Sequence, residues 1–197
     1  HTAYAFAIVT GAIVGLIGFW ITEKVLIAMK TPSELMADSV IYLHIYFCGM
    51  IFNIVYNMGA SILRAVGDSR RPLYVLIMTC GLNIFFDIML VVFLKMGVMG
   101  VAIATVSCQG ISACMLTWIL IKGNSLFRLK IREIRFYMAS LQSVLRIGIP
   151  AALEATMYTI ANLIIQIFVN GLGTDTVAAW GTFAKIDAIY WLSLIHI

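Results

Sequence analysis

Charge is what this sequence has least of. Asp, Glu, Lys and Arg make up 11% of its 197 residues, less than half of the ~25% usual in soluble domains. A chain that is 62% hydrophobic, with mean hydropathy +1.03, cannot cover a water-exposed surface with the polar side chains it owns. A soluble fold is excluded, and lipid is the solvent. Period-two alternation is also missing, and open strands leave unpaired backbone groups in lipid, so the spans are helices.

Other absences narrow the chemistry. There is no HExxH, no nucleophile elbow and no P-loop, so intramembrane catalysis has no footing and the chain reads as no enzyme. The single Gly-Asp, Gly67-Asp68, lies in a basic turn and not in a span. Gly67 suits a helix stop, Asp68 or Ser69 a cap, and Pro72 the first turn of the next helix. The four cysteines, Cys48, Cys80, Cys108 and Cys114, form no CxxC and sit in apolar runs, which reads as small apolar filling and not a zinc or disulfide framework. His44 reads as an interfacial residue, and neither it nor His196 nominates a metal site.

What is present is a series of long apolar runs. Cutting at charged residues leaves six uncharged or nearly uncharged stretches, 2–22, 39–63, 72–94 (interrupted by Asp87), 96–121, 147–174 (by Glu154) and 176–197 (by Lys185 and Asp187), each near the ~20 residues that cross a bilayer core. Lys and Arg between them number two, three, one, six and none. The positive-inside rule puts the second and fourth loops in the cytoplasm, and with them both ends of the chain. The net charge of +4 therefore reports orientation, not nucleic-acid binding. The start at His1 without Met, and the stop at Ile197 within an apolar run, read as a piece of a longer protein. In the fourth loop Phe127, Ile131, Ile134, Met138 and Leu141 share one helical face, with Arg128, Lys130, Arg132 and Arg135 elsewhere. That pattern predicts an amphipathic helix on the cytoplasmic lipid surface.

Ionisable residues within spans are costly and mark function. Asp87 has Asn83 one turn earlier on the same face. If the hairpin turns near Met96, Asp87 and Thr105 each lie nine residues from it, about 13 Å deep at 1.5 Å per residue. A carboxylate, an amide and a hydroxyl at one depth suit a proton or a small hard cation; the alternative is hydrogen bonding to neighbouring helices. Glu154 follows Gly148-Ile149-Pro150 at the start of the fifth span and either lines a cavity or snorkels. Lys185 and Asp187, two apart on the sixth span, need separate partners. Asn53, Asn57 and Ser61 make a polar stripe on the second span that either lines an aqueous path or joins helices.

Four stretches carry a family resemblance: Ile62-Leu63-Arg64-Ala65-Val66-Gly67-Asp68-Ser69-Arg70-Arg71-Pro72, Leu82-Asn83-Ile84-Phe85-Phe86-Asp87, Gly97-Val98-Met99-Gly100-Val101-Ala102-Ile103-Ala104-Thr105-Val106, and Leu145-Arg146-Ile147-Gly148-Ile149-Pro150-Ala151-Ala152-Leu153-Glu154. In order and spacing the chain resembles the multidrug and toxic compound extrusion (MATE) transporters, whose superfamily also contains lipid-linked oligosaccharide flippases. The resemblance implies an all-α polytopic membrane bundle with twelve helices in two bundles. Residues 1–122 then hold helices three to six of the first bundle, 123–142 the cytoplasmic linker, and 143–197 the first two helices of the second.

The same resemblance implies a secondary antiporter in a bacterial inner membrane, exporting organic and often cationic drugs or metabolites in exchange for Na+ or H+. It needs no cofactor beyond that ion, and its partners are a small organic substrate and membrane lipids. Residues matching Asn83, Asp87 and Thr105 bind the cation in family members, together with an Asp of a first helix that this chain does not contain. An essential Glu of some members falls at Tyr158, one turn beyond Glu154. Glu154, Asn53, Asn57 and Lys185 are the remaining candidates for a cavity lining. Two other functions compete. A lipid-linked oligosaccharide flippase calls for a basic cavity, against a single basic residue in the spans, Lys185. A non-transporting scaffold makes the polar residues structural.

Overall fold

The computed structural model describes residues 1–28, 33–123, 128–130, 133–171 and 179–187. They are helical almost throughout, as backbone hydrogen bonding in lipid demands. The helices are α1 (Thr2–Ala28), α2 (Ser33–Cys48), α3 (Met50–Ala65), α4 (Arg70–Asp87), α5 (Gly97–Ile121) and α6 (Met138–Gly171). Residues 179–187 are also helical. α1, α5, α6 and α4 with its continuation are each long and apolar enough to cross a membrane, and α2 with α3 forms a fifth span bent by 49°. Of the sixth expected span only 179–187 is described; His196 and the rest of it lie outside the described residues. Residues 1–142 group together by contacts, and residues 143–197 form a second unit.

Within the first unit α1 packs on α2 and α3, and α5 packs on α2, α3 and α4. The bent pair thus lies between α1 and α5. Small residues permit that close approach. A Cβ on Gly11 would lie 2.8 Å from Ile51 Cα, one on Gly15 would lie 2.7 Å from Phe47 O, and one on Gly18 would collide with the Phe47 ring. Three glycines on one face of α1 let its backbone rest against the bend, where van der Waals contact replaces the hydrophobic drive that lipid removes. At the bend, Gly49 shares its N–H between Ile45 O and Tyr46 O, and Val106 of α5 fills the space a side chain would need.

Leu63, Leu116 and Leu120 are fully buried at one end of this unit, with Tyr4, Ala60, Val75 and Leu129 around them. The Tyr4 hydroxyl shares a short hydrogen bond with Thr117 Oγ1, so the buried phenol is satisfied. Outward faces carry Trp20, Ile77 and Phe93, as a lipid-facing surface requires.

The turn after α3 follows the sequence expectation. Gly67 takes φ +84°, Asp68 N–H reaches Leu63 O at 2.9 Å, and Gly67 N–H reaches Arg64 O at 3.0 Å, the paired bonds of a Schellman stop. The Asp68 carboxylate accepts from Arg71 N–H at 3.1 Å and pairs with Arg71 Nε at 3.1 Å. Asp68, not Ser69, therefore caps α4, and Pro72 lies in its first turn.

Three expectations are corrected. No amphipathic helix precedes Met138 among the described residues: 128–130 and 134–137 are irregular. Leu129 is buried there, its N–H donates to Leu120 O at 2.9 Å, and Ile134 packs beside it. Insertion into the core end thus wins over an interfacial face, while Phe127, Ile131 and Arg132 lie outside the described residues. α6 starts at Met138, nine residues before the expected start, so Pro150 is interior and not in a first turn. A good helix-forming run, Met138–Ala139–Ser140–Leu141–Gln142, carries the helix back, and in a membrane helix the carbonyl that Pro frees is tolerated. Finally, α4 does not run straight into its turn. Ile88–Phe93 winds as a π-helix, and the turn closes with Lys95 at φ +52° and Gly97 at φ +55°.

Candidate functional site

α3, α4 and α5 line an open cleft of ≈ 330 Å³. α3 contributes Asn53, Tyr56 and Asn57, α4 contributes Thr79, Cys80 and Asn83, and α5 contributes Thr105, Cys108, Gln109 and Ser112. Each set follows from helical spacing: steps of three and four bring these side chains to one face. Among the described residues no charged side chain lines the wall.

The hydrogen bonds of the wall mostly turn inward on their own helices. Asn57 Nδ2 donates to Asn53 O at 2.9 Å and to Asn53 Oδ1 at 3.1 Å. Thr79 Oγ1 donates to Val75 O at 2.9 Å, with Leu76 O at 3.2 Å, and Ser112 Oγ donates to Gln109 O at 2.9 Å. Asn83 of α4 and Cys108 of α5 both line the cleft. Two buried side-chain oxygens have no partner among the described residues, Asp87 Oδ1 and Gln109 Oε1. Both are acceptors, and leaving such an atom unpaired out of water costs about 1–3 kcal/mol.

The structure therefore brings Asn53, Asn57, Asn83 and Thr105 into one wall. Asp87 does not share it and lies one turn beyond Asn83. The equal-depth construction for Asp87 and Thr105 assumed straight α-helices, whereas the π-helical segment begins at Ile88 and closes bonds to the fifth residue instead of the fourth. Of the expected pair on α4, Asn83 shares the cavity wall with Thr105. Ser61 is outside the cavity and accepts from Arg64 Nη2 at 3.3 Å. Cys80 and Cys108 line polar space instead of filling apolar gaps; all four cysteines are free thiols. Thr79, Gln109 and Ser112 escaped the sequence reading. The signal was there: Thr105, Gln109 and Ser112 step by four and three. Glu154 on α6 and Lys185 are both exposed and belong to the second unit. His44 stacks on Phe19, ring centroids 4.1 Å apart. No cluster of three metal-ligating side chains occurs among the described residues.

Comparison with known proteins adds to this geometry. The MatE family profile matches residues 1–89. The probable multidrug resistance protein YpnP of Bacillus subtilis is 31% identical over 178 residues, covering 90% of this chain and 40% of YpnP. The chain is thus similar to the MATE family over residues 1–89 and to part of a MATE relative over most of its own length. A second Bacillus subtilis relative, the probable multidrug resistance protein YoeA, is 28% identical over 193 residues, 94% of this chain and 42% of YoeA. Among solved MATE structures, one in a bent conformation superposes with a TM-score of 0.86 at 21% identity, over 94% of this chain and 42% of that one. The fold is thus that of MATE transporters, and the chain is integral to a membrane. It spans about two-fifths of the length of the curated relatives it matches.

Proposed function

We propose that this chain belongs to a secondary antiporter that exports organic, often cationic, drugs or metabolites in exchange for Na+ or H+. The observation that carries the reading is Asp87 Oδ1, a buried carboxylate oxygen without a partner among the described residues, near a cleft of neutral polar groups. A structural acid in lipid is normally paired, whereas one that exchanges a cation must be left free to receive it. Asn83, one turn before Asp87 on α4, supplies an amide, and Thr105 on α5 a hydroxyl. All are hard oxygen donors, which suits Na+, and the carboxylate alone suits a proton.

In this reading residues 1–122 are helices three to six of a first bundle, 123–142 is the cytoplasmic linker, and 143–197 opens a second bundle. Cation binding neutralises Asp87 and favours one arrangement of the bundles. Substrate binding favours the other, so each ligand drives the other's release through its differential affinity for the two states. The relatives named as multidrug resistance proteins support the substrate class. The neutral wall argues against a flippase of lipid-linked pyrophosphates, which needs cationic partners.

Ethidium efflux by the full-length protein in everted vesicles, under an imposed Na+ or proton gradient, tests this. Wild type is expected to respond to one gradient, and Asp87→Asn to lose the response while inserting normally. Unchanged efflux in the variant would remove the coupling role from Asp87. No efflux from inserted wild type under either gradient would end the antiporter reading.

A further inference from the structure

We infer that Gly100 is a positioning residue: by leaving room for the π-helical segment Ile88–Phe93, it aims the polar face of α4 at α5. The consequence for ion coupling rests on the exporter reading, whereas the consequence for the cleft does not.

Residue count decides where that face points. α4 brings Thr79, Cys80 and Asn83 to the cleft, α5 brings Thr105, Cys108 and Gln109, and Asp87 continues the α4 row one turn later. Between Asp87 and α5 stand the π-helical segment and a link of three residues, Leu94 to Met96. The link has little freedom. Lys95 takes φ +52° and Gly97 φ +55°, and Met96 N–H donates to Leu90 O at 3.0 Å. A π turn closes on the fifth residue back, as Leu94 N–H does on Met89 O at 3.1 Å, and so holds about one residue more than an α turn. One residue of an α-helix is about 100° of rotation. If the same six residues wound as α with the link unchanged, α4 would turn by about that angle and carry Cys80, Asn83 and Asp87 away from α5.

A π turn is wide and needs space on the side that it packs. That space is at Gly100. A Cβ there would lie 3.2 Å from Leu90 Cβ, 3.3 Å from Leu90 C and 3.2 Å from Met96 Cβ, and Gly100 is buried. Among the described glycines Gly100 alone meets this segment. Because the Leu90 backbone is in contact as well as its side chain, a larger residue cannot be met by a change of rotamer. It presses on the π turn itself. Narrowing the segment to an α-helix relieves that pressure but turns the polar face.

Gly100→Leu in the full-length protein tests this, together with deletion of Val92, a residue of the segment that is 62% exposed. The deletion removes the surplus residue, so a segment of five wound as α keeps the native direction of the face. With Cys48→Ser and Cys114→Ser as background, a short bifunctional thiol reagent should bridge Cys80 and Cys108, because both line the cleft. Gly100→Leu should lose the bridge. Deletion of Val92 alone should keep it, and the two changes together should recover it along with gradient-driven ethidium efflux. A merely structural role for Gly100 gives no such rescue, since shortening the segment does not by itself undo overpacking. The inference is overturned by a bridge that persists in Gly100→Leu, by one lost on deletion of Val92 alone, by a failure of the two changes together to recover it, or by its absence from the background protein. If the bridge follows the expected pattern while efflux is absent even from wild type, the inference stands and the exporter reading fails.

Discussion

Asp87 and Gln109 show the same imbalance at single atoms, an oxygen withdrawn from solvent with nothing to accept from. Tyr4 shows the opposite solution, with its hydroxyl held by Thr117, which itself donates to Ala113 O at 2.6 Å. Because Thr117 keeps that second bond, Tyr4→Phe leaves no orphan behind and should cost only about 1 kcal/mol of stability, measured by thermal unfolding in detergent; a loss several times larger would mean the hydroxyl organises more than one partner. How far the site could be read from the chain follows from the same chemistry. Asn83, Thr105, Asn53 and Asn57 were legible because polar atoms in an apolar run stand out. Gln109 and Ser112 were not, because unlike Thr105 they were not at the depth of an ionisable residue on the facing helix. The straight hairpin assumed for Asp87 and Thr105 was not legible as bent, since no residue from Ile88 to Phe93 announces a π-helix.

Elements were legible where local chemistry decides them. Apolar length fixed the spans, and Gly67, Asp68 and Pro72 marked one turn in full. They were illegible where packing decides: the 49° bend comes from Gly49 wedged beneath Val106, and the linker's course from Leu129 and Ile134 reaching the core. Pro150 misled because its usual place in a first turn is a rule for helices in water. The glycine face of α1 makes a prediction at this scale. Gly15→Leu drives a side chain into Phe47 O and should cost about 1–3 kcal/mol, as overpacking does. Gly81→Ala, with nothing within 4 Å of its Cβ, should leave the midpoint unchanged or slightly raised. Equal effects from the two changes would show that the α1 interface yields more than its close contacts suggest.

For the whole molecule the open quantity is which side faces the cytoplasm. The basic loop at Arg64, Arg70 and Arg71 and the basic stretch from Lys122 to Arg146 both predict a cytoplasmic location. With the native cysteines replaced, Ser69→Cys should react with a membrane-impermeant thiol reagent in everted vesicles and stay unlabelled in right-side-out ones. The reverse pattern would invert every span.

The wall of the cavity is drawn from residues 53 to 112 alone, on three spans that follow one another along the chain. During synthesis the N-terminal parts of a protein emerge and fold first. Each polar face of this wall is therefore exposed to lipid only until the next span arrives, and the pocket has all three of its sides before α6 has been made.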